Sequence, residues 1–355
     1  MRLSNRELDL RMSPPIRIRS PRCSRFPTTE LGRAAFDNDL RRIRDLLAAG
    51  ADPDEGNSSG MTPLMTAASR GHILAVELLA RVSDAGLAEP SVGWTALMRA
   101  ALCESRSARH CLEAIAPRCN PNAQDLSGRT ALSLAVSARP SSGASVQFLL
   151  PLTDLSLADA WGATPLIRLA MLPEEEDALA MLNSFESFIV PSNANAVSKE
   201  MGFTALMIAV GRGHFNLARR LATHSDLSLR DRHGRTAFDR AVESSHHNSD
   251  IRSGRWVFLE QIAPSASPEE LLRLDPARFD QRLFSSLAAW IERASIVSSM
   301  APATGPSGSS QSALGLSIAE ASPASSEGFS GDAAGLPALG DGVDETASNR
   351  GARRL

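Results

Sequence analysis

MGFTALMIAVGRGH, residues 201–214, is the stretch that decides the fold, because close copies of it return along the chain at a nearly fixed interval. Its threonine has counterparts at Thr29, Thr62, Thr95, Thr130, Thr164, Thr204 and Thr236, which are 33, 33, 35, 34, 40 and 32 residues apart. Self-similarity with a period near 33 residues is typical of a solenoid, in which each repeat packs on its two neighbours. The first copy is divergent, as expected of a repeat whose outer side has no neighbour.

Each copy predicts a turn followed by two short helices. A glycine precedes the threonine by two residues in the last six copies, at Gly60, Gly93, Gly128, Gly162, Gly202 and Gly234. This spacing predicts a tight turn with positive φ. The threonine is a preferred N-cap residue, and Pro63 and Pro165 fall at the first helical position, where proline is tolerated. The leucines and alanines that follow predict a buried helix, and a second apolar stripe predicts its partner.

These residues carry a resemblance. The pattern Gly-x-Thr-Pro/Ala-Leu-x-x-Ala-Ala, with Gly-His ten residues after the threonine at 71–72 and 213–214 and Gly-Ala-Asp at 50–52, resembles the ankyrin repeat in seven copies over residues 29–264. The resemblance implies an all-α solenoid of antiparallel helix pairs, with hairpin fingers and a concave groove, and a role as a protein-binding scaffold.

The chain departs from the family pattern at two places. The family usually has histidine three residues after the threonine, but that position holds Met65, Met98, Ser133, Ile167, Met207 and Asp239. The polar link that the histidine makes is therefore not expected here. The interval of 40 residues between Thr164 and Thr204 predicts enlarged loops in the fifth repeat.

Composition divides the rest of the chain into three segments. Residues 1–28 are rich in arginine and proline, which predicts a disordered leader, and residues 299–355 are dominated by serine, alanine, glycine and proline, which predicts a disordered tail. Residues 265–298 contain a capping box at 267–270 and an apolar helical face, so we expect a helical cap on the last repeat. A partner-docking helix is the alternative for this segment.

Little in the sequence indicates catalysis or a cofactor. Cys103, Cys111 and Cys119 lie eight residues apart near His110, but structural zinc sites present close ligand pairs and the repeat register would scatter these cysteines. Asp125, Asp159 and Asp231 each precede a threonine by five residues, which indicates finger turns and not catalytic acids. No phosphate-binding glycine loop is present. We therefore expect a protein that is not an enzyme and has no cofactor and no metal.

The candidate binding residues lie on the fingers and on the inner helices. The residue before each threonine forms a row whose large members are Met61, Trp94, Arg129, Phe203 and Arg235, and Trp161 extends it. A parallel basic line is predicted four residues after the threonine at Arg99, Arg168 and Arg240. Trp, Phe, Met and Arg are enriched in protein interfaces. The alternative is that the large finger residues pack against the next finger.

These features predict a monomeric scaffold that holds another protein, possessing an acidic or phosphorylated stretch, in its groove. The formal net charge of -3 argues against bulk attraction to nucleic acid. Few cysteines and no long apolar run favour a cytoplasmic location without a membrane span. Two alternatives stay open: a secreted bacterial effector that engages a host protein, and a regulatory subunit of an enzyme.

Overall fold

The structure is a computed structural model that describes residues 29–138, 143–243 and 249–267, together with 271, 290–293 and 295–296. Over these ranges the chain is helical and contains no strand, apart from one isolated bridge between Ala88 and Thr95. None of the helices in these ranges is long and apolar enough to cross a membrane. The predicted all-α class is confirmed.

In the described part of the chain, seven helix pairs follow one another. We number the helices in chain order and call the first helix of each pair inner and the second outer. The pairs are α1 (Glu30–Asp37) and α2 (Leu40–Ala48), α3 (Pro63–Arg70) and α4 (Ile73–Leu79), α5 (Ala96–Ala101) and α6 (Ala108–Ile115), α7 (Ala131–Ser137) and α8 (Gly143–Leu149), α9 (Pro165–Ala170) and α10 (Glu175–Phe185), α12 (Ala205–Arg212) and α13 (Phe215–Ala222), and α14 (Ala237–Glu243) and α15 (Ser249–Ile262). The four-residue helix α11 (Pro191–Ala194) lies between the fifth and sixth pairs.

The helices pack in two parallel layers. Each inner helix contacts the inner helices before and after it, from α1 through α3, α5, α7, α9 and α12 to α14, and the outer helices form the same series. Alanines at the inner-helix contacts, such as Ala67, Ala100 and Ala209, are fully buried and allow this close approach. The apolar core therefore runs the length of the array, as expected for a solenoid.

The local signals place the ends of the inner helices. All seven repeat threonines accept a hydrogen bond from the backbone N–H three residues later, so their predicted N-cap role is confirmed. All six predicted turn glycines have positive φ, between 68° and 79°. Three inner helices end on a left-handed residue nine positions after the threonine, at Asn38, Gly71 and Gly213.

The histidines that come directly after Gly71 and Gly213 join neighbouring repeats. His72 Nε2 lies 3.1 Å from the carbonyl oxygen of Phe36 in the preceding repeat, and His214 bonds the carbonyl of Pro173 in the same way. These histidines thus have a structural role between repeats. Elsewhere in the repeat, Asp239 accepts from the backbone N–H of Thr236, whereas apolar residues occupy the same position in most other copies.

The fifth repeat contains the predicted enlargement. Its outer helix α10 has 11 residues, whereas the other outer helices up to α13 have between 7 and 9. The helical turn at Glu186–Phe188 and the short helix α11 then precede the next finger. In α11, Asn193 bonds the backbone of Val190 and Phe188, which closes the extra loop on itself. The added residues thus form ordered structure on the loop side of the repeat.

The terminal segments lie largely outside the described residues. This holds for the predicted leader at 1–28, for the tail at 299–355 and for most of the predicted cap at 265–298. Within the cap, Leu271 is buried, and Trp290 and Ile291 pack against the apolar core.

Candidate protein-binding surface

A compact turn, here called a finger, precedes each inner helix from the second repeat onward. The six fingers are residues 57–61, 89–94, 125–129, 159–163, 198–203 and 231–235. In finger 4, the backbone N–H of Asp159 donates to the Ala163 carbonyl, and the Asp159 carboxylate accepts from the backbone N–H groups of Trp161 and Ala163. Asp125 and Asp231 make the same bonds, so their predicted role as turn residues is confirmed.

Backbone hydrogen bonds join fingers 2 to 6 into a continuous strip. The N–H groups of Leu126, Ala160, Lys199 and Arg232 donate to the carbonyl oxygens of Val92, Ser127, Trp161 and Met201 on the preceding finger, at 2.9 to 3.1 Å. This close approach explains the glycine of finger 4. Gly162 has a φ of +79°, and an added Cβ would lie 2.6 Å from the backbone nitrogen of Lys199. Only glycine fits there without displacing finger 5.

Buried arginines pair with the acidic residue at the base of the same finger. The pairs are Arg99 with Glu89, Arg129 with Asp125, Arg168 with Asp159, and both Arg235 and Arg240 with Asp231. The Arg99 guanidinium bonds both carboxylate oxygens of Glu89 at 2.6 Å. Apart from Arg235, whose side chain is 25% exposed, these arginine side chains are at most 10% exposed. Their charges are therefore compensated inside the array.

Three of these arginines also stack on aromatic rings. The guanidinium carbon of Arg99 lies 4.6 Å from the ring centroid of Trp94, and that of Arg240 lies 4.1 Å from Phe203. Arg168 covers Trp161 at 5.5 Å. The Trp94 indole N–H donates to Asp125 Oδ2 of the next finger at 3.0 Å, which links adjacent repeats. The predicted basic line and the predicted aromatic row are thus parts of one internal network.

The carboxylate of Asp231 anchors the end of this network. Burial acts to raise its pKa, but hydrogen bonds from the Arg235 backbone and guanidinium and from the His233 backbone outweigh that effect and hold the pKa below its ordinary value. Burial lowers the pKa of Arg240, although the nearby Asp231 opposes the change. The ionised carboxylate is the form that satisfies these donors, so this finger is built around a negative charge.

The nine predicted partner-binding residues fall into two groups. Six are buried: Trp94, Arg129, Phe203, Arg99, Arg168 and Arg240. Phe203 is 1% exposed and Trp94 is 9% exposed, so neither presents a free face in this conformation. Met61, Trp161 and Arg235 are partly exposed. The residues of the first group pack within the array, which is the alternative given above for the finger residues. Only the second group is accessible to a partner.

The structure contains two accessible rows of which the sequence analysis named only Trp161. One lies three residues before the threonine on the fingers, where Val92, Trp161 and Met201 are partly exposed. The other lies seven residues after the threonine, at the end of the inner helices, where Phe36, Leu102 and Met171 are partly exposed in repeats 1, 3 and 5. The corresponding residues of repeats 2, 4 and 6 are the small Ser69, Ser137 and Gly211. This alternation of large apolar and small residues was a signal available in the sequence.

The cysteines and titratable groups elsewhere form no reactive cluster in the described part of the chain. Cys103, Cys111 and Cys119 are free thiols, and Cys23 lies outside the described residues. Burial raises the pKa of Cys111 to about 12 and that of Cys119 to about 11. Thiols with such values stay protonated at neutral pH, which suits packing and disfavours nucleophilic chemistry. Among the described residues, no group of three or more histidine, cysteine or acidic side chains could hold a metal ion.

Comparisons with known proteins point to one family. The sequence model described as ankyrin repeats matches residues 31–110 and 178–251. A search of curated proteins gives no match. The chain is similar to the solved ankyrin repeat domain of Bcl-3, described as a unique member of the IkappaB protein family, with 26% identity and a TM-score of 0.52 over 63% of this chain and 98% of that one. It also shares the fold of an ankyrin repeat protein from Leishmania major, with 18% identity and a TM-score of 0.53 over 75% of this chain and 96% of that one.

The helix pairs continue through residues 111–177, which the family model leaves unmatched. Ankyrin repeats generally form interaction modules without catalytic activity, so the array indicates a domain that binds protein partners. The matches to the family model, together with the threonine caps, the left-handed glycines, the finger strip and the two helical layers, show that the chain contains an array of ankyrin repeats.

Proposed function

We propose that this protein is a non-catalytic scaffold that holds a partner protein against its fingers and the ends of its inner helices. The observation that carries the proposal is the pair of partly exposed apolar rows, with Trp161 and Met201 on the fingers and Leu102 and Met171 on the helices. Exposed apolar residues that lie in register along a rigid array are typical of interaction surfaces.

The arrangement of the repeats supports this use of the surface. Each inner helix packs on its two neighbours and on its own outer helix, which covers three of its sides. Leu102 and Met171 remain partly exposed at the ends of their inner helices. Ser137 lies at the same position in the repeat between them, so a partner side chain can enter between the two larger residues. The proposed surface therefore has both apolar area and a gap that a partner side chain can fill.

The buried arginines contribute to this function indirectly. Arg99, Arg168 and Arg240 hold the finger bases against the inner helices, because each bonds a carboxylate of its own finger. We therefore assign to them, and to Trp94, Arg129 and Phe203, the role of fixing the fingers. Of the nine residues predicted from the sequence to bind a partner, Met61, Trp161 and Arg235 remain proposed partner contacts.

The test is capture of partners by the full chain in cells, followed by mass spectrometry. Replacing Leu102 and Met171 together with serine should remove the captured partner, because both side chains belong to the proposed surface. The matched control replaces Leu74 and Val82, which are 55% and 52% exposed on and just after an outer helix, with serine. Circular dichroism should show the same helix content for both variants.

The result is decisive in both directions. Loss of the partner in the Leu102 and Met171 variant, with retention in the Leu74 and Val82 variant, supports the proposal. A partner that both variants retain, or that only the control variant loses, contradicts it. Cytoplasmic location, the bacterial effector role and the regulatory-subunit role remain predictions that this experiment leaves aside.

A further inference from the structure

The basic side chains of fingers 5 and 6 differ from the buried arginines. Lys199, Arg232 and His233 are exposed, and among the described residues none of them pairs with a carboxylate. Asp231 bonds Arg235 and Arg240, and Glu243 bonds Arg235, so both carboxylates are already paired. Glu200, next to Lys199 on finger 5, is the one exposed acidic residue of fingers 5 and 6. The arginines inside this part of the array are thus paired with carboxylates, whereas at the fingertips the basic residues Lys199, Arg232 and His233 outnumber the single acidic residue Glu200.

Arg232 is held in place by the finger strip. Its backbone N–H donates to the Met201 carbonyl at 3.0 Å, and its guanidinium donates to the carbonyl oxygen of Lys199. A Cβ built on Gly202 would lie 3.6 Å from Arg232 Cγ, so the first part of the arginine side chain lies over Gly202 of finger 5. A guanidinium fixed on neutral acceptors keeps its charge and loses little conformational entropy on binding.

Apolar surface lies directly beside these cations. The backbone N–H of Lys199 donates to the Trp161 carbonyl at 2.9 Å, so fingers 4, 5 and 6 are adjacent at this point. Trp161 and Met201 are partly exposed on the same strip. The fingertips therefore combine cations with an aromatic ring and a thioether, a composition that suits an acidic segment bearing an apolar anchor.

We propose that the tips of fingers 4 to 6 bind an acidic linear segment of the partner protein, with Lys199, Arg232 and His233 contacting carboxylates and Trp161 and Met201 contacting an apolar side chain. This inference rests on the proposed scaffold function and specifies the chemistry of the partner. The surface is too small, and the whole chain with a net charge of -3 is too acidic, to favour a nucleic acid strand.

The experiment measures fluorescence anisotropy of the full chain with a labelled peptide of sequence EEEEFEEEE at an ionic strength of about 50 mM, where exposed charges are weakly screened. The comparison peptides are QQQQFQQQQ, which lacks the charge, and EEEEAEEEE, which lacks the anchor. The wild type should bind the first peptide more tightly than either of the others.

The test variant replaces Lys199 and Arg232 with glutamine. It should bind the acidic peptide about fivefold to tenfold more weakly, since it loses two exposed charge contacts. The matched control replaces Arg41 and Arg44, which are exposed on helix α2 of the first repeat, with glutamine. The control has the same net charge as the test variant, so it should retain wild-type binding if the site is local.

Three outcomes would overturn the inference. They are equal binding of the acidic and glutamine peptides, equal weakening in both variants, and tighter binding of a labelled single-stranded oligonucleotide than of the acidic peptide through Lys199 and Arg232. Failure here is distinct from failure of the scaffold proposal. If Leu102 and Met171 are needed for partner capture but the acidic peptide does not bind, the scaffold role stands and only the acidic segment is rejected.

Discussion

The base and the tip of a finger lie two residues apart in sequence, but the base side chain is buried and the tip side chain is exposed. In finger 5, Phe203 is 1% exposed and its ring is covered by Arg240. Met201 is partly exposed, and its carbonyl oxygen accepts a hydrogen bond from finger 6. The arginines divide in the same way: Arg240 is buried against Asp231, whereas Arg232 is exposed on carbonyl oxygens. Residue type therefore does not identify a contact residue in this array; its position on the finger does.

The division has a physical cause in the turn. The acidic residue at the finger base needs donors for its buried oxygens, and the arginine of the same repeat supplies them. The rings that stack on Arg99 and Arg240, Trp94 and Phe203, are buried as well. At the tip, the backbone donors are used between fingers, so the side chains remain free for solvent or a partner.

The largest expected effect comes from truncating a base residue. Phe203→Ala should lower the free energy of unfolding by about 4 kcal/mol, because it leaves a cavity and uncovers Arg240. Met201→Ala, two residues away, should lower it by less than about 1 kcal/mol, since that side chain is partly exposed. Urea denaturation of both variants measures the difference, and equal losses would contradict the assignment of base and tip.

Removing a base carboxylate should have the next largest effect. Asp159→Ala leaves the Arg168 guanidinium and the N–H groups of Trp161 and Ala163 without their acceptor, so unfolding should become easier by about 3 kcal/mol. Asp159→Asn keeps an acceptor oxygen for the turn and should lose less. At the tip, Arg232→Gln should change stability by less than about 0.5 kcal/mol. If thermal melting shows a larger loss of stability for Arg232→Gln than for Asp159→Ala, the distinction between base and tip is wrong.

The strip between fingers can be tested with two glycines of similar φ. Gly162→Ala should lower stability by about 2 kcal/mol, because the new methyl group strains the backbone and clashes with Lys199. At Gly234, with a φ of +73°, an added Cβ meets nothing within 4 Å, so Gly234→Ala should lose about 1 kcal/mol from backbone strain alone. Equal melting temperatures for the two variants would show that finger packing does not require the glycine.

The smallest effect concerns pH and a residue away from the fingers. Burial lowers the pKa of His214 below its ordinary value of 6.5, so the unfolded chain binds the proton more readily than the folded chain. Stability from this group is complete above about pH 6.5 and falls as the pH decreases toward the folded-state pKa. The unfolding free energy changes between pH 7 and pH 5. This change should be smaller in His214→Gln than in the wild type, by up to about 1 kcal/mol. An identical change in the wild type and in His214→Gln would exclude this role of His214.

The sequence determined the architecture of this protein. The spacing of the threonines, the glycines two residues before them and the alanines after them specified seven helix pairs, because turn, cap and close-packing requirements are local and can be satisfied only by certain residue types. The enlarged fifth repeat was also predicted, since added residues change the interval directly.

Only the tertiary structure decided which side chains are buried and which are exposed. Arg99 and Arg232 are the same residue type at similar distances from a threonine in sequence, yet one is buried on Glu89 and the other lies at a fingertip. Burial of a side chain depends on the neighbouring repeat and on which carboxylate reaches it. Those contacts join residues 10 to 33 positions apart, so a local motif cannot specify them.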